Sequence, residues 1–291
     1  MITMTSALMR TERLYGNRLA IIDSEANYSW KEHIQRVKKL SGGLKDLGIT
    51  KGACYGIIGP NSFRYTELIH AGYWLGAIPV PINHRLAPPE ILHILEDANI
   101  EYLALGEDYL NLTDNELLEP WESKRILIGS KSPDDKIPAI DAIIKTGSAV
   151  LPNDPNENDL AILLYTGGTT GRSKGVQLTH RNVCSNGYQV INAMNIVKED
   201  IYLHVAPQFH AADLLSSGFT MNGAAHSYVP VFSPKAVLKA IQDYKVTQAM
   251  MAPTMIIMIL EEPTFDDYNI SSYRNLFYGS SPMAAEWVEK A

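Results

Sequence analysis

Strand-like and helix-like segments alternate along this chain, and each change is marked by a capping or breaking residue. That order restricts it to an α/β fold, largely parallel sheet covered by helices. Ser29-Trp30-Lys31-Glu32 is a capping box, in which the serine hydroxyl and the glutamate satisfy each other's backbone N–H groups. Ile34, Val37, Leu40, Leu44 and Leu47 follow at helical spacing, and Gly48 supplies the stop. Ala53 to Gly59 reads as a strand, broken by Pro60-Asn61-Ser62, which opens a helix to about Gly76. Ile78-Pro79-Val80-Pro81-Ile82 is held extended by its prolines. Pro88-Pro89-Glu90 starts a helix ending near Asp97, and Ile100 to Leu105 and Arg125 to Ile128 read as strands.

From Gly129 to Asp159 the pattern lapses into Pro, Asp and Asn, a connector with one short element near Ile140 to Ile144. The alternation then resumes. Thr179 caps a helix to Met194, and Tyr202 to Ala206 is a strand. Ser233-Pro234 leads a helix to Tyr244, Thr247 to Met251 is a strand, Pro253 starts another helix, and Leu276 to Tyr278 is a last strand. Met250, Met251, Met255 and Met258 read as core packing. The expected organisation is two αβ lobes, residues 1–159 with the connector and residues 160–291.

Near the junction lies Tyr165-Thr166-Gly167-Gly168-Thr169-Thr170-Gly171-Arg172-Ser173-Lys174-Gly175, between the apolar runs Ala161 to Leu164 and Val176 to Leu178. Glycines let backbone N–H groups approach a ligand, threonines add hydroxyl donors, and lysine adds a mobile positive charge. Together they suit a polyphosphate. The segment is not a P-loop, because Lys174 stands between Ser173 and Gly175 and is followed by strand-forming residues instead of a helix. An unliganded hairpin is the alternative. The net charge of −7 argues against nucleic acid as the main partner, though a nucleotide needs only a local cluster of donors. Cys54 and Cys184 lack metal-ligand spacing and read as reduced, buried thiols. No signal peptide is legible in Met1 to Arg13, and Met255 to Leu260 is too short to span a bilayer. A cytoplasmic protein with no transmembrane segment is expected.

On these residues the chain resembles the adenylate-forming, or AMP-binding, enzymes, in their acyl-CoA synthetase branch. The segment 165–175 is similar to their phosphate-binding signature, with Gly167 in place of the usual serine and Ser173 in place of the usual proline. Gly76 to Asn83 is similar to a second core motif. Pro207-Gln208-Phe209-His210 is similar to the aromatic-histidine gate beside the acyl pocket. Tyr278-Gly279-Ser280-Ser281-Pro282-Met283 is similar to the strand-end loop that meets adenine and the acyl group. Taken alone, His210 could be a satisfied core histidine and Gly279 to Pro282 an ordinary turn.

The resemblance implies activation of a carboxylic acid by ATP to an acyl-adenylate, then displacement of AMP by a thiol, usually that of CoA. Catalysis of this kind is mostly positioning and charge neutralisation. It assigns the ATP phosphates to Thr166, Gly167, Gly168, Thr169, Thr170, Gly171 and Lys174, and the acyl and adenine pocket to His210, Gly279, Ser280, Ser281 and Pro282. Mg²⁺ should accompany the phosphates. The family's Mg²⁺-holding glutamate, ribose-binding aspartate and adenylation lysine have no counterpart in the sequence. The chain is expected to be the front part of such an enzyme, an incomplete large N-terminal domain without a full catalytic set and prone to oligomerise. A fatty or aryl acid is the expected substrate class. A non-catalytic binding or partner module, and an enzyme that passes the acyl group to a carrier protein, stay open.

Overall fold

The computed structural model describes residues 2–167 and 172–291. In chain order the elements are α1 (Met4–Tyr15), β1 (Leu19–Ile22), β2 (Asn27–Ser29), α2 (Trp30–Asp46), β3 (Cys54–Ile58), α3 (Phe63–Leu75), β4 (Ile78–Pro81), α4 (Pro88–Asp97), β5 (Tyr102–Gly106), β6 (Arg125–Ile128) and α5 (Ile140–Thr146). There follow β7 (Leu160–Thr166), β8 (Lys174–Thr179), α6 (His180–Ala193), β9 (Ile201–His204), α7 (Ser216–Asn222), β10 (Ala225–Tyr228), α8 (Pro234–Tyr244), β11 (Gln248–Met251), α9 (Pro253–Leu260), β12 (Asn275–Tyr278) and α10 (Ala285–Lys290). The capping box at Ser29 and Glu32 forms as read from sequence. Gly76 ends α3 in the left-handed region at φ 76°, and a Cβ there would meet the Asn153 side chain at 2.4 Å.

Three sheets result. One has four strands, all parallel, in the order β4-β3-β5-β6. A second has six in the order β12-β11-β9-β10-β1-β2, parallel except for the β1–β2 hairpin. The third is the antiparallel pair β7–β8. The main core lies between the two parallel sheets. Trp30, Ile34, Val37 and Leu40 of α2 and Phe63, Tyr65, Leu68 and Trp74 of α3 pack there with Ile21 of the six-stranded sheet and Tyr55 and Ile57 of the four-stranded one. On the far side of the four-stranded sheet, α4 places Ile91, Ile94 and Leu95 against Val80, Leu103 and Leu105. On the far side of the six-stranded sheet, α8 and α9 place Val237, Ile241 and Ile256 against Leu203, Ala249 and Met251. Helices and sheets therefore alternate in five layers.

The six-stranded sheet draws strands from both sides of residue 159. β1 and β2 belong to the six-stranded sheet through the parallel pairing Ile21↔His226, because β1 has the twin apolar faces needed to extend that sheet beside β10. Two expectations change. Cys54, the first residue of β3, is only half-buried, and Met258 is 50% exposed because it lies on the solvent face of α9.

Polar groups are threaded through the central layer. Glu67 on α3 is fully buried and accepts a bidentate pair of hydrogen bonds from Arg36 on α2, at 2.5 and 3.0 Å. Arg36 and Arg64 both reach Asp141 on α5. Burial pushes the Asp141 carboxyl up, but the two guanidinium groups outweigh it and hold the group below the ordinary aspartate range. Beside this network His33 Nε2 meets His70 Nδ1 at 2.9 Å. Further along, His204 Nδ1 donates to Asp213 at 2.5 Å, His204 Nε2 meets His226 Nδ1 at 3.0 Å, and the Thr220 hydroxyl meets His226 Nε2 at 3.1 Å. Trp30 stands edge-on between the two groups, 5.6 Å from the His33 ring and 5.9 Å from that of His226.

Candidate functional site at the β7–β8 turn

β7 and β8 form a ladder from Leu160↔Thr179 to Thr166↔Lys174. Residues directly opposite on an antiparallel ladder project from the same face, with Cβ atoms about 4.5–5.5 Å apart. The Thr166 hydroxyl and the Lys174 side chain therefore leave the open end of the ribbon side by side. Gly168, Thr169, Thr170 and Gly171 lie outside the described residues. Residues 172–175 are a bend leading into a strand, as the apolar runs on either side of the turn predict.

Thr166, Gly167, Arg172 and Ser173 line a cleft of about 570 Å³, whose other wall is Asn83, Leu86 and α4, with Phe209 at one side. Phe209 packs edge-on against His84, ring centroids 5.2 Å apart at 88°. Lys174 lies outside that lining and is exposed. Two hydrogen bonds join the base of the turn to α4. The Tyr165 hydroxyl donates to Asp97 at 2.5 Å, and His93 Nε2 donates to the Ser173 carbonyl at 3.0 Å.

His210 begins a short 3-10 helix, Ala211–Leu215, and its Nδ1 accepts from the Ala212 N–H at 3.1 Å. It is exposed, and it borders a separate cavity of about 30 Å³ with His70, Asp213 and Thr220. Ile162 and Leu164 of β7 face that cavity, while Leu163 and Tyr165, one step out of phase, pack on the α4 side. One strand thus borders both spaces. The unbroken apolar run Ala161 to Leu164 was consistent with burial on both faces, but sequence alone did not say what each face would meet.

Sequence reasoning missed the groups that fix the segment 207–210. Asn61 Nδ2 donates to the His204 and Ala206 carbonyls, both at 3.0 Å, and Asn61 Oδ1 accepts from the Gln208 N–H at 2.8 Å. Gln208 in turn accepts from the Ser62 N–H at 2.7 Å and donates to Thr66 at 2.9 Å. Asn61 and Gln208 are both buried with their polar atoms partnered, so they tie the end of β3 to the end of β9 across the two sheets. The only sequence sign was a polar pair at two strand ends.

Gly279 to Pro282 follow β12, with Ser280 left-handed at φ 71°. β12, β11 and β9 are parallel neighbours, so this turn and the segment that leads to His210 leave their strands at the same end of the sheet. Ser280, Ser281 and Pro282 are exposed, and none of 279–282 lines the cleft or the small cavity. The structure therefore brings Thr166 and Gly167 to the cleft beside Phe209, His210 to the neighbouring cavity, and 279–282 to the end of the sheet they share with His210. No helix among the described residues is long and apolar enough to cross a membrane.

The model of the family described as AMP-binding enzyme matches residues 8–291. A probable 4-coumarate–CoA ligase 1 of Dictyostelium discoideum is 29% identical over 302 residues, covering 96% of this chain and 55% of the relative. A feruloyl-CoA synthase of Amycolatopsis sp is 29% identical over 285 residues, covering 97% of this chain and 55% of that one. The crystal structure of a long-chain-fatty-acid-CoA ligase (FadD1) from Archaeoglobus fulgidus superposes with a TM-score of 0.88 at 27% identity, over 99% of this chain and 60% of that one. The chain thus spans about half the length of the curated relatives it matches. With the family model spanning nearly all its residues, this chain belongs to the AMP-binding enzymes.

Proposed function

We propose that this chain supplies the phosphate-binding turn and the acyl-facing gate of an AMP-forming acyl-CoA ligase for a fatty or aryl acid. The carrying observation is the pairing of Thr166 with Lys174 at the open end of β7–β8, beside a cleft walled by Phe209. In the reaction proposed, a carboxylate oxygen attacks the α-phosphorus of ATP and expels pyrophosphate. The CoA thiolate then attacks the acyl carbonyl and expels AMP. The chain's part is to hold the leaving phosphates. The Thr166 hydroxyl and Gly167 N–H donate to phosphate oxygens, and the Lys174 ammonium offsets the charge on the β- and γ-phosphates. His210, with Gly279 to Pro282 at the same end of the sheet, borders the acid and adenine. The names of the relatives support CoA as acceptor and span both aryl and fatty acids.

Among the described residues no group of three or more His, Cys, Asp or Glu side chains is placed to hold a metal ion, and no step here is routed through one.

Replacing Lys174 with alanine is expected to weaken ATP binding about tenfold to a hundredfold, the loss of one charge-assisted hydrogen bond of about 1.5–3 kcal/mol. AMP, which lacks the outer phosphates, should bind nearly as before. Calorimetry with both nucleotides decides it, and equal losses would remove Lys174 from the phosphate role. The same reading takes the 291 residues alone to dock substrates with little turnover, since each absent electrostatic contact lowers the rate by about 10²–10³-fold. Pyrophosphate release with ATP, Mg²⁺, CoA and a panel of acids tests this. Sustained release at about 1 s⁻¹ or faster would show a complete catalytic set.

A further inference from the structure

We infer that α4 is a clamp on the phosphate turn, with His93 and Asp97 as its positioning residues. The inference rests on the phosphate role of the turn proposed above and adds to it a device that sets how firmly the turn is held. His93 and Asp97 are four residues apart on α4 and so stand one above the other on a single helix face. They take hold of the turn from its two sides. Asp97 accepts from the Tyr165 hydroxyl, on the last paired stretch of β7, at 2.5 Å. His93 donates from Nε2 to the carbonyl of Ser173, the residue before β8 begins, at 3.0 Å.

The helix beneath is itself fixed. Ile91, Ile94 and Leu95 are buried against the four-stranded sheet, and Tyr165 packs against the same cluster. The two grips therefore hold the turn to a rigid element instead of to another loop. They also lie on the turn's cleft side, since His93, Tyr165 and Ser173 all line the cleft. Held this way, the ends of the turn need not be ordered again when a polyphosphate arrives, which lowers the cost of binding.

The acceptor is the Ser173 main-chain carbonyl, so the interaction does not need a particular side chain at 173. It needs a donor at 93. His93→Gln should keep one through its amide, and His93→Ala should not.

The test compares the parent chain with His93→Ala, Asp97→Ala, the double variant and His93→Gln. Limited trypsin digestion at native pH reads cleavage of the exposed Arg172–Ser173 bond by mass spectrometry, and calorimetry reads ATP affinity. In the double variant, cleavage after Arg172 should speed up about tenfold relative to other tryptic sites, and the ATP dissociation constant should rise about five- to tenfold. His93→Gln should stay within about twofold of the parent in both. Unchanged cleavage after Arg172 in the double variant overturns the clamp. So does a uniform rise at every site with a lowered melting temperature, which is general destabilisation. If the parent fails to bind ATP, the phosphate reading falls, and the proteolysis arm still decides the clamp.

Discussion

Glu67→Ala is expected to destabilise the protein by about 3–5 kcal/mol, the usual cost of leaving one partner of a buried ion pair without the other. The Glu67 side chain is fully buried and takes both prongs of the Arg36 guanidinium. Removing it leaves Arg36, itself mostly shielded, with Asp141 as the remaining carboxylate in reach. The double replacement Arg36→Met with Glu67→Leu should cost much less, because an apolar pair of similar volume removes the need to bury charge. Urea denaturation of the parent, the single and the double variants makes the comparison. A single variant within about 1 kcal/mol of the parent would show that the pair contributes no more than an exposed one.

The buried histidines make an acid transition the second large effect. Burial pushes His33 and His226 well below the ordinary histidine range, His70 down to about 3 and His180 to about 4. Their surroundings explain why. His33 faces His70, Trp30 and, at 4.0 Å, Glu67 with its Arg36. His226 lies between His204 and Thr220, and Asp213 is one step further on. His180 accepts from the Met4 N–H through Nδ1. Each is neutral in the fold and titrates near 6.5 once unfolded, so the unfolded chain binds more protons below that pH. Stability is then full above about pH 6.5 and falls as pH drops towards 4. At pH 5 each such histidine should have cost about 2 kcal/mol, and several together rival the whole stability of a typical domain. Denaturation midpoints at pH 7, 6 and 5 should fall steeply. His180→Asn, which keeps an acceptor for Met4 but cannot titrate, should lessen the slope. Equal midpoints at pH 7 and 5 would refute the account.

The histidines also show where sequence stopped being legible. Segments with local punctuation were readable: the Ser29 capping box, the Thr179 cap, the Gly76 stop and the prolines that open α4, α8 and α9 all lie where expected. β10 was missed because Ala225, His226, Ser227 and Tyr228 are all buried, yet His226 and Ser227 are polar, and His226 finds its partners only in distant His204 and in Thr220. α1 was missed for a similar reason. Half its buried face is threonine, and Thr5 and Thr11 reach the Tyr73 and Thr220 carbonyls, far along the chain. At the site, the turn announced itself by composition. The clamp from α4 and the Asn61–Gln208 tie did not, because each joins segments tens of residues apart or more through single side chains.

The seat of β1 between β2 and β10 bears on the order in which the protein can assemble on a ribosome. The four-stranded sheet draws on strands from residues 54 to 128 and needs only successive crossovers, so it can close soon after β6 emerges. β1 and β2, though made before any of them, wait as a hairpin with one edge open until Ala225 to Tyr228 are synthesised. Two-stranded hairpins are marginal on their own in water. For some two hundred residues of synthesis the N-terminal segment is therefore a nascent edge in need of shelter, and β10 is the strand that closes the loop on it.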